Sequence, residues 1–242
     1  MLYVGIALLV SALALLTGTA RANTAIIGSS LSASNFSLVD FGPPATVTNY
    51  VLPPSETAGS PTNGTVISWS FIGAGGPLTP RVLRSTGTTS LSAAGTGPPQ
   101  NATTPNAISG PFSLSMPIKK GDYFGVDGAS GASLSTAPTA GATSLYFTPA
   151  LVDGAGELAP TGINSQEDAI SAVVRFCLVP SLKGMTGKAA RQALQSANCT
   201  IGQVIKGKRK STKRVLSQSV DAGTSIADTQ PVDLKISRKR KA

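Results

Sequence analysis

The sequence predicts a mainly β protein: an antiparallel β-sandwich followed by a small α+β module. Three observations support this. The 242-residue chain carries 26 Gly and 17 Pro beside abundant Ser, Thr and Ala, and only 13% of it is charged, a turn-rich composition that suits short strands. Residues 24–176 consist of short apolar or alternating runs separated by Gly, Pro, Asn and Ser, with no stretch of about ten residues at helical period. At Met185 the period changes and, with it, the charge. Residues 23–176 hold five basic and eight acidic residues, whereas residues 177–242 hold fourteen basic and three acidic ones. A near-neutral unit and a strongly cationic one are different physical objects. The hydrophobic content of 41% is enough to build a core and argues against disorder.

The chain opens on an apolar run to Ala20, followed by the small-x-small pattern Ala20-Arg21-Ala22. Residues 1–22 therefore read as a secretory signal cleaved after Ala22, which places the mature chain outside the cytoplasm. The usual positive n-region is missing. An uncleaved anchor helix is the alternative, and only in that case is a membrane a partner.

Residues 23–176 form the expected sandwich. In "TVISWSF", alternation puts Ile67, Trp69 and Phe71 on one buried face, so Trp69 is assigned to the core rather than to a sugar-stacking platform. "PFSLSMPI" alternates Phe112, Leu114, Met116 and Ile118; "KKGD" turns into "YFGVDG"; "TSLYFTPAL" and "AISAVVRF" complete the set. Such sheets bury one face and wet the other. Alternation turns one of Tyr123 and Phe124 outward, which makes Tyr123 a candidate for ligand stacking. The stretch from Ser85 to Gly110 is poor in bulky residues and rich in turn formers, and reads as a long surface hairpin or loop.

Residues 177–237 form the expected second module. Thr186 can cap a helix whose Ala190, Ala193, Leu194 and Ala197 make one apolar stripe, although Ala189 stands where a capping box needs Glu or Gln. Asn198 can close that helix in the left-handed conformation. "TIGQVIK", "RVLSQSV" and "VDLKIS" then read as three strands. Phe176 ends a strand and Cys177 begins the module, so no linker separates the two units. Cys177 and Cys199 bracket the helix and are the only two cysteines. In an exported chain they are most simply one disulfide. A structural zinc site would want four Cys or His ligands, and the chain has no histidine.

The stretch "VPSLKGMTGKAARQAL", with "IGQV", "VLSQS", "DAGT" and "VDLKIS" after it, resembles a PASTA domain over residues 178–237. It is most similar to single modules on secreted actinobacterial proteins, which share a cysteine pair around the helix. Two positions depart from the family pattern: Val220 replaces a usual proline, and Lys213-Arg214 replace a common glycine. The resemblance implies a helix on a three-stranded sheet and, in many members, binding of peptidoglycan fragments or β-lactams. More weakly, "GTVISWSF" and "PIKKGDYFGVD" resemble jelly-roll sandwiches akin to carbohydrate-binding modules.

Without histidine, Ser-His-Asp and Cys-His catalysis are excluded. No Ser-x-x-Lys nucleophile motif and no phosphate-binding glycine loop with lysine occurs. No cofactor and no metal is expected. Paired carboxylates remain the one route to glycoside hydrolysis. The eight acids Asp40, Glu56, Asp122, Asp127, Asp153, Glu157, Glu167 and Asp168 read as surface residues, with Glu167 and Asp168 on opposite faces of a strand. Asp122 and Asp127 read as solvated turn acids rather than calcium ligands.

The positive feature is basic. Lys206, Lys208, Arg209, Lys210, Lys213 and Arg214 lie within nine residues, and Arg238, Lys239, Arg240 and Lys241 form a tail over residues 238–242. The first run reads as a cationic loop. Together they suggest a polyanion-binding patch; the lack of interleaved aromatic residues argues against specific nucleic-acid binding. The function expected is a secreted, non-enzymatic, envelope-associated binding protein that contacts peptidoglycan or another anionic wall polymer. The alternatives are a polysaccharide-active enzyme with carboxylates on the sandwich and a purely structural surface protein.

Overall fold

The computed structural model describes residues 23–239 apart from 86, 88, 211 and 212. The expected export segment, residues 1–22, lies outside the described residues, as do Arg240 and Lys241. The strands are β1 (Thr24–Gly28), β2 (Ser37–Asp40), β3 (Ala45–Val51), β4 (Gly64–Gly75), β5 (Leu78–Arg84), β6 (Ser92–Thr96) and β7 (Ile108–Ile118). They continue with β8 (Tyr123–Gly128), β9 (Ala132–Ala137), β10 (Thr143–Phe147), β11 (Gly162–Asn164), β12 (Glu167–Asp168) and β13 (Ile170–Leu178). The C-terminal part adds helix α1 (Gly187–Ser196) and strands β14 (Thr200–Lys210), β15 (Val215–Gln218), β16 (Ser225–Ala227) and β17 (Pro231–Lys239).

Eight strands form the frame of the sandwich. One sheet runs β1-β13-β4-β7 and the other β3-β8-β5-β6, with every neighbour antiparallel. Numbered in chain order within the frame, these orders are 1-8-3-6 and 2-7-4-5, the connectivity of a jelly roll. Strands outside the frame extend it on one side. The far end of β4 pairs with β9, which also carries β2 and β12; in the other sheet β10 joins β3 and carries β11.

The core between the sheets confirms the alternation of β13, where Ile170, Ala172 and Val174 are buried, and of β7, where Met116 and Ile118 are. Trp69 is in this core as expected, with ring centroids 5.1 Å from Phe71 and 5.6 Å from Phe112. Its partner on that face is Val66, not Ile67. Val174 faces Val66 and Val173 faces Ser68, so Ile67 is the extra residue of a β-bulge opposite β13. A bulge reverses the alternation; Val66 is fully buried and Ile67 is only partly covered.

The second sheet is not wet on its outer face throughout. Leu83, Leu91, Ala93, Leu145, Phe147 and Leu151 form a small satellite core there. Leu91 lies in the stretch expected to be a surface loop, yet it is fully buried and pairs with Leu158 through backbone bonds of 3.0 and 2.9 Å. The same stretch supplies β6.

Two units meet in β13. Its first residues belong to the jelly roll, and its last three, Phe176, Cys177 and Leu178, pair with β16. Helix α1 starts where expected: the Thr186 hydroxyl accepts the Ala189 N–H at 3.2 Å. Its Ala190 and Leu194 are buried against Val179, Leu182, Val215, Val232 and Leu234. Asn198 follows the helix at φ 55°, the left-handed residue the sequence predicts there. The three-stranded sheet runs β14-β17-β15, with β14 and β17 parallel.

Candidate functional site

The geometry of the C-terminal module begins with its disulfide. Cys177 and Cys199 are bonded, with Cα atoms 4.7 Å apart across 22 residues of sequence. The bridge ties the end of β13 to the residue before β14, so the helix between them is held at both ends. Both sulfurs sit in the module core. A ten-residue helix is too short to persist alone in water, and the bridge and the packed face supply what propensity does not.

The basic run is not a loop. β14 continues through Lys206 to Lys210, in parallel register with β17. That register sets Arg209 opposite Arg238 and Lys210 opposite Lys239 at their Cα positions. Two basic segments almost thirty residues apart in sequence thus lie side by side on adjacent strands. Lys206, Lys213 and Arg214 are exposed, and Arg214 also donates to the Gly184 carbonyl at 3.3 Å. The nearby acid Asp233 is engaged at the other end of the ladder, where it accepts the Gln203 N–H at 2.6 Å. Like charges opposite one another weaken a ladder, so alternation read from the sequence stops at Lys206. The tail that supplies the partner strand is remote and invisible to a local pattern.

This arrangement of one helix and three strands carries a family signature. Residues 178–238 match the family model of the PASTA domain. No curated protein and no solved structure matches the chain. PASTA domains suggest peptidoglycan or β-lactam binding and occur in extracellular or cell-envelope proteins. Within the PASTA domain, the Gln-Ser pair of the motif has a physical role. Gln218 accepts the Leu182 N–H at 2.9 Å and donates to the carbonyls of Pro180 and Val220 at 3.1 and 2.8 Å. It therefore ties the segment leading to the helix onto β15. Val220, standing where the family usually has proline, packs against the core edge.

The jelly roll lies outside the matched residues, and its acids differ from the surface expectation. Asp122, Glu167 and Asp168 are buried. Asp122 is no solvated turn acid: it accepts two hydrogen bonds from Arg84 at 2.9 and 2.7 Å and the Lys119 N–H at 2.9 Å. Asp127 accepts from the Thr46 hydroxyl at 2.5 Å and lies 3.4 Å from Arg81. Burial pushes the Asp127 carboxyl up, against the pull of Thr46 and Arg81. A clue was present in "RVLR": an arginine amid strand apolar residues needs a buried acid. Among the described residues no group of three or more His, Cys, Asp or Glu side chains could hold a metal ion.

Glu167 and Asp168 take different partners. Glu167 accepts from the hydroxyls of Ser29 and Thr139. Asp168 lines a cleft of about 260 Å³ with Asp40, Phe41, Ser144, Tyr146 and Gln166 among its neighbours. Burial, partly offset by Gln166 and Ser144, pushes its carboxyl up to about 7. The backbone around it is pinned by Asn49, whose amide accepts the Asp168 N–H and donates to its carbonyl, both at 2.8 Å. Sequence reasoning missed this residue because nothing local distinguishes it from Glu167.

Tyr123 turns to the outer face of its sheet, opposite Phe124, as alternation predicts; there it is half-buried against the satellite core, with its ring centroid 5.2 Å from that of Tyr50, while Phe124 enters the main core. Burial first, and then Tyr50, pushes the Tyr123 phenol up.

Proposed function

We propose that the protein is a secreted, non-enzymatic binding protein of the cell envelope, held to peptidoglycan or another anionic wall polymer by its PASTA domain. The observation that carries this reading is the register of β14 on β17, which brings the backbone of Arg209 and Lys210 beside that of Arg238 and Lys239 at one end of one sheet. A patch of that kind attracts a polyanion over about a Debye length and lets go as salt rises. The export pattern of residues 1–22 supports the compartment, and the disulfide suits an oxidising one. The non-enzymatic part is supported by the jelly-roll acids. Asp122, Asp127, Asp40 and Glu167 each accept hydrogen bonds from neighbouring side chains, which suits structural roles.

The test is sedimentation of the mature chain with purified sacculi. The chain is expected to pellet at low salt and to be released by rising salt. Replacing Lys206, Lys208, Arg209, Lys210, Lys213 and Arg214 by glutamine is expected to abolish pelleting. Unchanged pelleting of that variant would remove the electrostatic part of the reading, and no pelleting at any salt would remove all of it. Incubation with wall glycans, followed by a reducing-end assay, checks the non-enzymatic part; turnover lost on replacing one carboxylate would assign an enzyme instead.

A further inference from the structure

The jelly roll holds a cleft that the PASTA reading does not use. It lies between strands of the two sheets, and most of its wall comes from strands outside the eight-strand frame: β2, β9 and β12 of one sheet, β10 and β11 of the other. Additions to a rigid scaffold that converge on one concavity are a common way to build a site.

Asp168 is the side chain that needs explaining. It is 1% exposed and its Oδ1 accepts from Gln166 at 3.1 Å; the Ser144 hydroxyl is near enough to favour the ionised carboxylate, yet no donor meets Oδ2 in hydrogen-bond geometry. A buried carboxylate oxygen without a donor is unfavourable, and such groups are rare enough in folded proteins to require a reason. The cleft is also lopsided in charge. Asp40 is a second acid in its wall, and no lysine or arginine lines it. Glu167, the neighbour of Asp168 on β12, adds a third negative group nearby, and Tyr146 on β10 is the other titratable side chain in the wall. Anions are thus repelled. The remaining wall is mixed: Phe41, Val47 and Leu134 give it an apolar side, and Thr136, Ser144 and Asn164 a neutral polar one.

We propose that this cleft binds a primary ammonium group carried on a short apolar body, with the free Oδ2 of Asp168 receiving the ammonium and Phe41, Leu134 and Tyr146 covering the body. One free oxygen matches a point donor; a guanidinium fork would need both, and Gln166 already holds the other. A hard divalent cation would want six or more oxygen ligands, often several carboxylates, and Asp168 and Asp40 are the two carboxylates in the wall. The volume of about 260 Å³ suits a body of a few heavy atoms rather than an oligomer. The inference stands apart from the PASTA reading, because its residues all lie in the jelly roll.

The experiment titrates the mature chain with n-butylammonium chloride and, separately, with Nα-acetyl-lysine methylamide, following the side-chain amide NMR signals of Asn164 and Gln166. Binding of butylammonium alone marks a free amine as the ligand; binding of both marks an ammonium that can also be presented on a peptide. Since the ammonium needs ionised Asp168, affinity is expected to rise roughly tenfold per pH unit from pH 5 towards about 7 and then level off. Asp168→Asn is expected to weaken binding at pH 8 by at least about tenfold, with the Trp69 fluorescence of that variant reporting that it folds. The glutamine variant of the PASTA basic run is expected to bind the amine unchanged. The proposal is overturned if neither amine moves the amide signals at concentrations up to about 10 mM. Equal binding by Asp168→Asn, or tighter binding of a neutral monosaccharide than of either amine, would overturn it as well.

Discussion

Asp228 pairs with Arg175 at 2.7 Å, and this contact joins the two units of the chain. Asp228 lies in the turn after β16, in the PASTA domain, while Arg175 lies on β13 of the jelly roll. The other oxygen of Asp228 accepts the Thr65 hydroxyl of β4 at 2.6 Å, and its backbone carbonyl accepts from Thr200. The carboxylate is nearly buried, while Arg175 is partly exposed, so solvent screens the ion pair but not the Thr65 bond. Asp228→Ala is expected to destabilise the protein by about 1–3 kcal/mol, because it strands a buried hydroxyl and an arginine. Differential scanning calorimetry checks this, and the PASTA transition is expected to move more than that of the jelly roll. A variant with the wild-type profile would show that β13 alone couples the two units.

Trp69 offers a sharper test of packing. It is 1% exposed, and its indole Nε1 has no hydrogen-bond partner. Trp69→Ala is expected to cost about 3–5 kcal/mol through the cavity it leaves beside Phe71 and Phe112. Trp69→Phe removes an unsatisfied donor along with some volume, so its cost is expected to be much smaller than that of alanine. Urea unfolding followed by circular dichroism measures both, and equal losses would mean that the indole N–H has an unseen partner.

Signals confined to one element were legible in the sequence. Thr186, the Ala190–Leu194 face and Asn198 announce the helix because capping and period are local. The alternation of β7 and β13 announces the sandwich for the same reason. What escaped depends on a partner strand. Val66 replaces Ile67 in the core because β13 forces a bulge, and no feature of "TVISWSF" encodes that. Leu91 is buried because Leu158 comes to meet it. The extension of β14 through Lys210 depends on the tail strand β17. The candidate cleft was the least legible of all, since Asp40, Ser144 and Asp168 come from three strands that meet only in the folded chain.

The disulfide should matter more to the PASTA domain than to the jelly roll. It closes a loop spanning 22 positions, worth about 3 kcal/mol in the chain-entropy account. Replacing Cys177 and Cys199 together by serine would also bury two hydroxyls in an apolar core, so alanine is the cleaner substitution. Cys177→Ala with Cys199→Ala is expected to lower the PASTA transition and leave that of the jelly roll largely in place. Hydrogen exchange across α1 checks this locally, and unchanged protection there would show that the packing of Ala190 and Leu194 suffices.

Asp168 sets a pH dependence whose sign can be worked out. Its carboxyl is pushed up to about 7 in the folded protein, above the ordinary value of 3.8 that applies to the unfolded chain. Between those limits the folded state holds a proton that the unfolded state has released, so stability falls as pH rises from about 4 to about 7. Above that window both states are ionised and the folded protein carries the full burden of a buried charge, about 1.4 kcal/mol for every tenfold weakening of the acid. Asp168→Asn cannot ionise, and its Gln166 contact can be kept through the amide oxygen. It is expected to flatten the slope in this window and to be more stable than the wild type at pH 8, while differing little at pH 4. The new amide N–H takes the place of an oxygen without a partner and recovers only part of the gain. Urea midpoints at pH 4, 6 and 8 measure the slope for both proteins, and parallel pH profiles would mean that Asp168 is ionised throughout and has a partner in the cleft even without added ligand.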